Sequence, residues 1–317
     1  MSYKSNQPNK SYMSKLWKVT IFLLLLAALV IWLSVFSTSD NLKIISCNVG
    51  QGDSNLIINK SIEILIDGGP DNTVIDCLSK YIPFWDRTIE MVILTHPQSD
   101  HYTGLIAVTE RYKVGKILAN SLNAGSQTYE LLKNRVLTRG VDVVNPVRGL
   151  RVMYNMIHID ILHPSKEFLA ENLLHNYLTM GQFDNSSGVL GAYTTNLDPN
   201  EFSIVASLSF GSFKFLFTGD AGSELLDSLA TTLSENGINS INYIKIPHHG
   251  SRNSISEKMY DLVEGGIATI SVGKNSYGHP AEEVIKLLSN KAIKILRTDT
   301  DGDIVIETDG ERMWLEK

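Results

Sequence analysis

The run Thr95-His96-Pro97-Gln98-Ser99-Asp100-His101 packs two imidazoles, a carboxylate and an amide into six consecutive positions. Positions 96, 98 and 100 alternate along the chain. On an extended loop their side chains point one way and converge on a point. His101 then turns in with the start of a helix. Imidazole and carboxylate together suit Zn, Mn or Fe. A solvated loop with Asp100 as a helix cap would use the same residue types, so the metal reading depends on partners elsewhere in the chain.

Four further clusters supply them. Ile64-Leu65-Ile66-Asp67-Gly68-Gly69 and Phe215-Leu216-Phe217-Thr218-Gly219-Asp220 each end an apolar strand on a carboxylate. A carboxylate there costs desolvation unless a cation or hydrogen-bond donors meet it. Ile246-Pro247-His248-His249-Gly250-Ser251 places two histidines at another strand end, and Tyr277-Gly278-His279-Pro280 adds a third. Five of the eight histidines therefore lie at predicted strand ends beside Gly or Pro, a distribution that scattered core histidines would not give. His158, His163 and His175 fit no such pattern and are read as structural or exposed.

The ordered motifs resemble the metallo-β-lactamase superfamily, and more closely the C-terminal hydrolase domain of ComEC-type DNA-uptake competence proteins. The matching pieces begin with Val49-Gly50-Gln51-Gly52-Asp53, Ile66-Asp67-Gly68-Gly69 and His96 to His101. They continue with Thr218-Gly219-Asp220, Pro247-His248-His249-Gly250-Ser251, Ser271-Val272-Gly273, Asn275-Ser276-Tyr277-Gly278-His279-Pro280 and Arg297-Thr298-Asp299. The resemblance runs in order through residues 42–308. It does not extend to a many-helix transport channel, because one membrane segment alone is visible here.

The resemblance implies an αββα sandwich of two mixed β-sheets with outer helices and a metal site at one edge. It implies that His96, Asp100, His101, Asp220 and His249 are ligands, with Asp220 bridging two metals. His248 and His279 would face a phosphate or donate protons, and with Asp100 they are the candidate catalytic groups. Asp67 would orient ligands, Asp53 would reach the site, and Asn275 and Tyr277 would border the substrate. Two positions depart from the pattern. Gln98 stands where the family has His or Asp, and the His expected before Asp220 is missing, with Asn200 or Ser203 in its neighbourhood. Neutral amides donate less charge than imidazole or carboxylate. One site, with Asp100, His101, Asp220 and His249, is expected to be firm. The other, with His96, Gln98, Asp220 and Asn200, is expected to be labile and to tolerate Mn²⁺ as well as Zn²⁺.

The resemblance therefore points to a metal-dependent phosphodiesterase or nuclease, with DNA or another phosphodiester as substrate. Two alternatives stay open: a degenerate binding protein with little catalysis, and a lactonase or β-lactamase-type hydrolase.

Positioning these groups takes many short elements. β-rich runs start at Leu42–Asn48, Ser54–Ile58 and Ile62–Asp67, joined by turns too short for helical crossovers, so these three predict hairpins. Later runs alternate with helical patterns such as Asn72–Tyr81, Thr103–Arg111, Ser126–Arg139 and Ala221–Asn236. The sum is a mixed two-sheet α/β architecture with helices outside. Residues 164–201 break the rhythm. They are read as a long insert loop with one helix at Glu167–Leu178 and a weak glycosylation sequon at Asn185-Ser186-Ser187.

The composition is that of a globular chain of 317 residues, 43% hydrophobic and 20% charged. Residues 1–36 hold four lysines and no acid, which leaves 24 basic against 34 acidic residues beyond, a net of about −10. That argues against bulk, salt-driven nucleic-acid binding. Cys47 and Cys77 provide no disulfide framework and read as two small buried hydrophobes, with a single bridge open to an exported domain. Val19 to Phe36 is an almost unbroken apolar run, roughly 27 Å as a helix, close to a bilayer core. With lysines before it, the positive-inside rule predicts a cytoplasmic tail at 1–18, a signal anchor at 19–36 and an extracytoplasmic hydrolase domain at 42–317. A cleaved signal peptide is the rival reading.

Overall fold

Strand Ile62–Ile66 shows how the sheets are covered. Ile64 and Ile66 point into one apolar cluster and Leu65 into another, and all three are buried. A strand buried on both faces reads as a continuous apolar run.

The computed structural model describes residues 10–36, 39–173 and 188–316. The chain divides into two units, Met1–Asp40 and Asn41–Lys317. In the first, α1 spans Lys10–Phe36, and its Lys15–Trp32 segment is long and apolar enough to cross a membrane. The helix begins earlier than the apolar run, because no Pro or Gly interrupts residues 10–18.

The second unit opens with β1 (Leu42–Ser46), β2 (Asn55–Asn59) and β3 (Ile62–Ile66), then α2 (Thr73–Tyr81), β4 (Thr88–Leu94), α3 (Ser99–Arg111), β5 (Lys113–Ala119), α4 (Gln127–Arg139) and β6 (Asp142–Val144). Next come β7 (Arg151–Tyr154), β8 (Ile157–His163), α5 (Lys166–Asn172), β9 (Val205–Phe210), β10 (Phe213–Phe217) and α6 (Ser223–Glu235). It closes with β11 (Tyr243–Lys245), α7 (Glu257–Asp261), β12 (Ile267–Ile270), α8 (Glu282–Asn290), β13 (Lys294–Arg297), α9 (Thr298–Asp301), β14 (Ile304–Thr308) and β15 (Met313–Leu315).

Two mixed sheets result, in the orders β15-β14-β1-β2-β3-β4-β5-β6 and β13-β12-β11-β10-β9-β8-β7. The early strands pair antiparallel, as their short turns require, and β3 to β6 run parallel. Ile44, Ile57, Met91 and Ile93 from the first sheet meet Ile159, Leu208, Phe215 and Phe217 from the second in the central layer. Val74, Leu78, Leu105 and Leu132 cover the first sheet's outer face. Leu226, Leu229, Met259 and Val284 cover that of the second. The layers are αββα.

Three readings need correction. Cys47 and Cys77 are bonded to each other, thirty residues apart. They are not two separate hydrophobes: Cys47 directly follows β1 and Cys77 lies in α2, so the bond ties that helix to the strand end. Closing such a loop restricts the unfolded chain by about 3–4 kcal/mol in the chain-entropy picture. Strand β15 was not anticipated, because three residues offer too short a pattern. The helix expected at Glu167–Leu178 ends at Asn172 among the described residues, capped by the Ser165 side chain. His175 and the Asn185-Ser186-Ser187 sequon lie outside them.

Candidate metal centre

All the candidate groups leave from one end of the two sheets. Asp53 comes from the β1–β2 loop, Asp67 from the end of β3, and His96 and Gln98 from the end of β4. Asp100 and His101 open α3. Asp220 follows β10, His248 and His249 follow β11, and Asn275, Tyr277 and His279 follow β12. A helix glycine lets these loops meet, since a Cβ on Gly104 would fall 2.0 Å from the Gly68 carbonyl.

His101 Nε2 lies 3.4 Å from Asp220 Oδ1. His249 Nε2 lies 3.2 Å from Asp100 Oδ2 and 3.7 Å from Asp220 Oδ2. The His96 and His101 rings stand 4.1 Å apart. The other ring nitrogens are engaged on the protein side. His101 Nδ1 meets Asp67 Oδ2 at 2.9 Å, His249 Nδ1 meets the Ser271 carbonyl at 2.8 Å, and His96 Nδ1 meets Thr95 Oγ1 at 3.1 Å. Each ring is thereby held with Nε2 turned inward, the arrangement a metal-binding imidazole needs. His96 Nε2 and His101 Nε2 are buried with no hydrogen-bond partner among the described residues. Orphaned acceptors beside carboxylates fit a divalent cation, and His96–His101–Asp220 and Asp100–His101–His249 each gather three such donors.

Asp67 acts from behind. Besides His101, it accepts from the Thr95 backbone N–H and hydroxyl, both at 2.8 Å. Its φ of 59° is left-handed, as are those of His248 and His249 (50° and 53°). For residues other than glycine such backbones are costly and persist only where the surroundings hold them. Here the His248 N–H donates to Asp220 Oδ1 at 3.2 Å. Sequence reasoning missed Ser203 in this role: its hydroxyl accepts the Asp220 N–H at 3.1 Å.

It also missed Lys245. This lysine is 1% exposed, pairs with Asp53, lies 3.7 Å from Asp220 Oδ1 and donates to the Gly219 carbonyl at 3.1 Å. The signal was present as one lysine inside the apolar run Tyr243–Pro247, which demands a buried carboxylate. Asp53 also sits 3.3 Å from His249 Nδ1.

The electrostatics follow from burial against this charge. Burial, then the neighbouring His101, pulls His96 down to about 3, so it is neutral. Burial also pulls on His249, but Asp220, Asp100 and Asp53 outweigh it and lift it to about 10. Burial would raise Asp220, yet His101 and His249 hold it well below the usual carboxylate range.

Two depressions meet at His248. One is lined by Gln51, Gln98, Asp100, His249, Tyr277 and His279. The other is acidic, with Asp198, Glu201 and Glu224 beside Asn200 and Asp220. Gln98 occupies the cap position of α3 without a capping bond. Asn200 Oδ1 is buried without a hydrogen-bond partner among the described residues. Tyr277 is 74% exposed, its ring centroid 5.8 Å from that of His279. Asn275 does not face the depression. Its amide donates to the Gly273 and His279 carbonyls and accepts from the Tyr277 and His279 N–H groups, which shapes that loop. His163 is buried and bonds the Glu201 carbonyl, in no cluster with the other imidazoles among the described residues, and His158 is exposed.

A family model described as "Metallo-beta-lactamase superfamily" matches residues 47–232. The ComE operon protein 3 of Bacillus subtilis (strain 168) is 23% identical over 219 residues, 69% of this chain and 24% of that protein. The competence protein ComA of Neisseria gonorrhoeae is 26% identical over 261 residues, 80% of this chain and 30% of that protein. Both are ComEC-type competence proteins, and the chain spans only 24% and 30% of their lengths. The crystal structure of the metallo-beta-lactamase fold protein YhfI from Bacillus subtilis superposes with a TM-score of 0.52 at 11% identity, over 85% of this chain and 100% of that one.

Proposed function

The chain belongs to the metallo-beta-lactamase superfamily, with ComEC-type competence proteins among its relatives, and on that premise we propose a membrane-anchored phosphodiesterase, or nuclease, working outside the cytoplasm. The observation that carries the hydrolytic reading is the set of three imidazoles whose Nδ1 atoms are all engaged, with the Nε2 atoms of His101 and His249 on Asp220 and Asp100 and with His96 gathered beside His101 and Asp220. His96, Asp100, His101, Asp220 and His249 would hold divalent metal, Zn or Mn, with Gln98 and Asn200 weakening one position. A bound ion there supplies a Lewis acid and lowers the pKa of water.

The chain's own groups would do the rest. The acidic depression repels a phosphodiester, so substrate would approach from the side of Tyr277 and His279. His279, held low by burial and by His248 and His249, would hydrogen-bond a phosphoryl oxygen. His248, on the ridge between the depressions, would donate to the leaving oxygen. Tyr277 offers a face on which a base could stack.

Export is supported by two features: the lysines that precede the apolar helix, and the Cys47–Cys77 bridge, a bond that persists in oxidising compartments. The substrate test is a panel with the purified protein: bis-p-nitrophenyl phosphate, single-stranded and duplex DNA, a β-lactam and a lactone, each with Mn²⁺ or Zn²⁺ and with chelator. Metal-dependent cleavage of the phosphodiesters alone is expected. Turnover of the lactam or lactone alone would overturn the reading. For topology, protease added outside cells should digest the hydrolase domain, and protection until lysis would contradict export.

A further inference from the structure

We infer that the end of the hydrolase unit opposite the metal site rests on the headgroup layer of an anionic bilayer; this builds on the membrane-anchored reading. The strand register defines that end. Leu42 faces Asn59 and Thr308, Asn59 faces Ile62, and Thr88 faces Lys113, whereas Asp53, Asp67 and His96 lie beyond the other ends of the same strands.

The surface there has the composition of a membrane interface. Phe84 and Trp85, 78% and 64% exposed, precede β4 in a loop whose Asp86 acts on Glu63 near the start of β3. Their rings pack edge to face on each other, with centroids 4.9 Å apart. Trp favours the headgroup level, and Phe beside it supplies apolar surface for the headgroup–acyl boundary. Beside them Arg87, Arg111, Lys113 and Arg139 line one depression with Glu110 as its sole acid, and all four cations are exposed. In a domain of net charge about −10, four cations converging next to an exposed aromatic pair complement lipid phosphate. An apolar wedge and a basic patch together are the two signals that hold a surface on a bilayer. The metal centre then opens away from the membrane.

The test uses residues 41–317. Among the described residues all the buried clusters come from Leu42 onward, so this part carries that core. Cosedimentation is measured with vesicles of phosphatidylcholine alone and of phosphatidylcholine with phosphatidylglycerol, at low and high salt. Trp85 emission is followed in a Trp314→Phe background. The expected result is binding to the anionic vesicles, weakened by salt, with a blue shift of Trp85. Phe84→Ser with Trp85→Ser should lower partitioning by roughly tenfold or more with unchanged melting temperature and metal content. Equal binding by parent and variant, an unshifted Trp85, or no binding to either vesicle would overturn the inference. The helix is absent here, so a failure of the anchor reading shows in the protease test on whole cells and not in this one.

Discussion

Lys245 and Asp53 form an ion pair in the floor of the centre, each 1% exposed, and the same ammonium reaches the Gly219 carbonyl that precedes Asp220. A buried pair gains little over well-packed apolar groups, but losing one partner strands a charge. Lys245→Met should destabilise the protein by about 3–5 kcal/mol, and adding Asp53→Asn should recover part of that loss. Chemical denaturation in chelator measures both. A loss below about 1 kcal/mol for the single variant, the median value of an exposed pair, would show that the two charges are not buried together.

The proposed ligand roles predict a contrast between two buried positions. Asp220→Ala should remove bound metal and all hydrolysis, because its two carboxylate oxygens face His101 and His249 separately. His163→Ala should leave metal content unchanged, since its ring bonds the Glu201 carbonyl. Elemental analysis of the two purified variants decides. Equal metal loss would mean that the ligand set has been misassigned.

Gln98 predicts a gain. Gln98→Asp adds a carboxylate in a partly buried depression, where a charge counts for more than in water. Metal titration should show a second equivalent bound more tightly, and activity should saturate at lower Mn²⁺ or Zn²⁺. Gln98→His should do the same for Zn²⁺. Unchanged stoichiometry in both would show that this side chain does not face the ions.

Away from the centre, Glu63 predicts a pH effect. Burial, then Asp86 and Glu90, raises it to about 8. The folded protein therefore keeps a proton that the unfolded chain releases near the ordinary value of 4.5. That contribution to stability is present below the lower value and is lost as pH rises through the upper one. Glu63→Gln removes the dependence. Its melting temperature relative to the parent, measured in chelator, should rise from about pH 5 to about pH 9. A constant difference across that range would contradict the raised value.

Much of this was legible before folding. Apolar runs such as Ile62–Ile66 announce strands buried on both faces, and the carboxylates and imidazoles at their ends announce the centre. What stayed hidden depends on tertiary contact. The Cys47–Cys77 bridge joins the end of β1 to α2 across thirty residues, a separation that local patterning does not register. Ser203 looked like a lost ligand until its hydroxyl was found on the Asp220 N–H. Asn275 sits in a motif, yet all its hydrogen bonds serve its own loop. Short elements such as β15 carry too few residues to show a period.

The claim that these residues form a working metal centre is tested most directly by metal content after exhaustive dialysis, measured together with bis-p-nitrophenyl phosphate turnover on the same sample. The account predicts roughly one retained equivalent or more, with turnover abolished by chelator and restored by Mn²⁺ or Zn²⁺. A protein that retains almost no metal and gains no turnover when metal is added would contradict it, and would leave a metallo-β-lactamase fold that binds without catalysis.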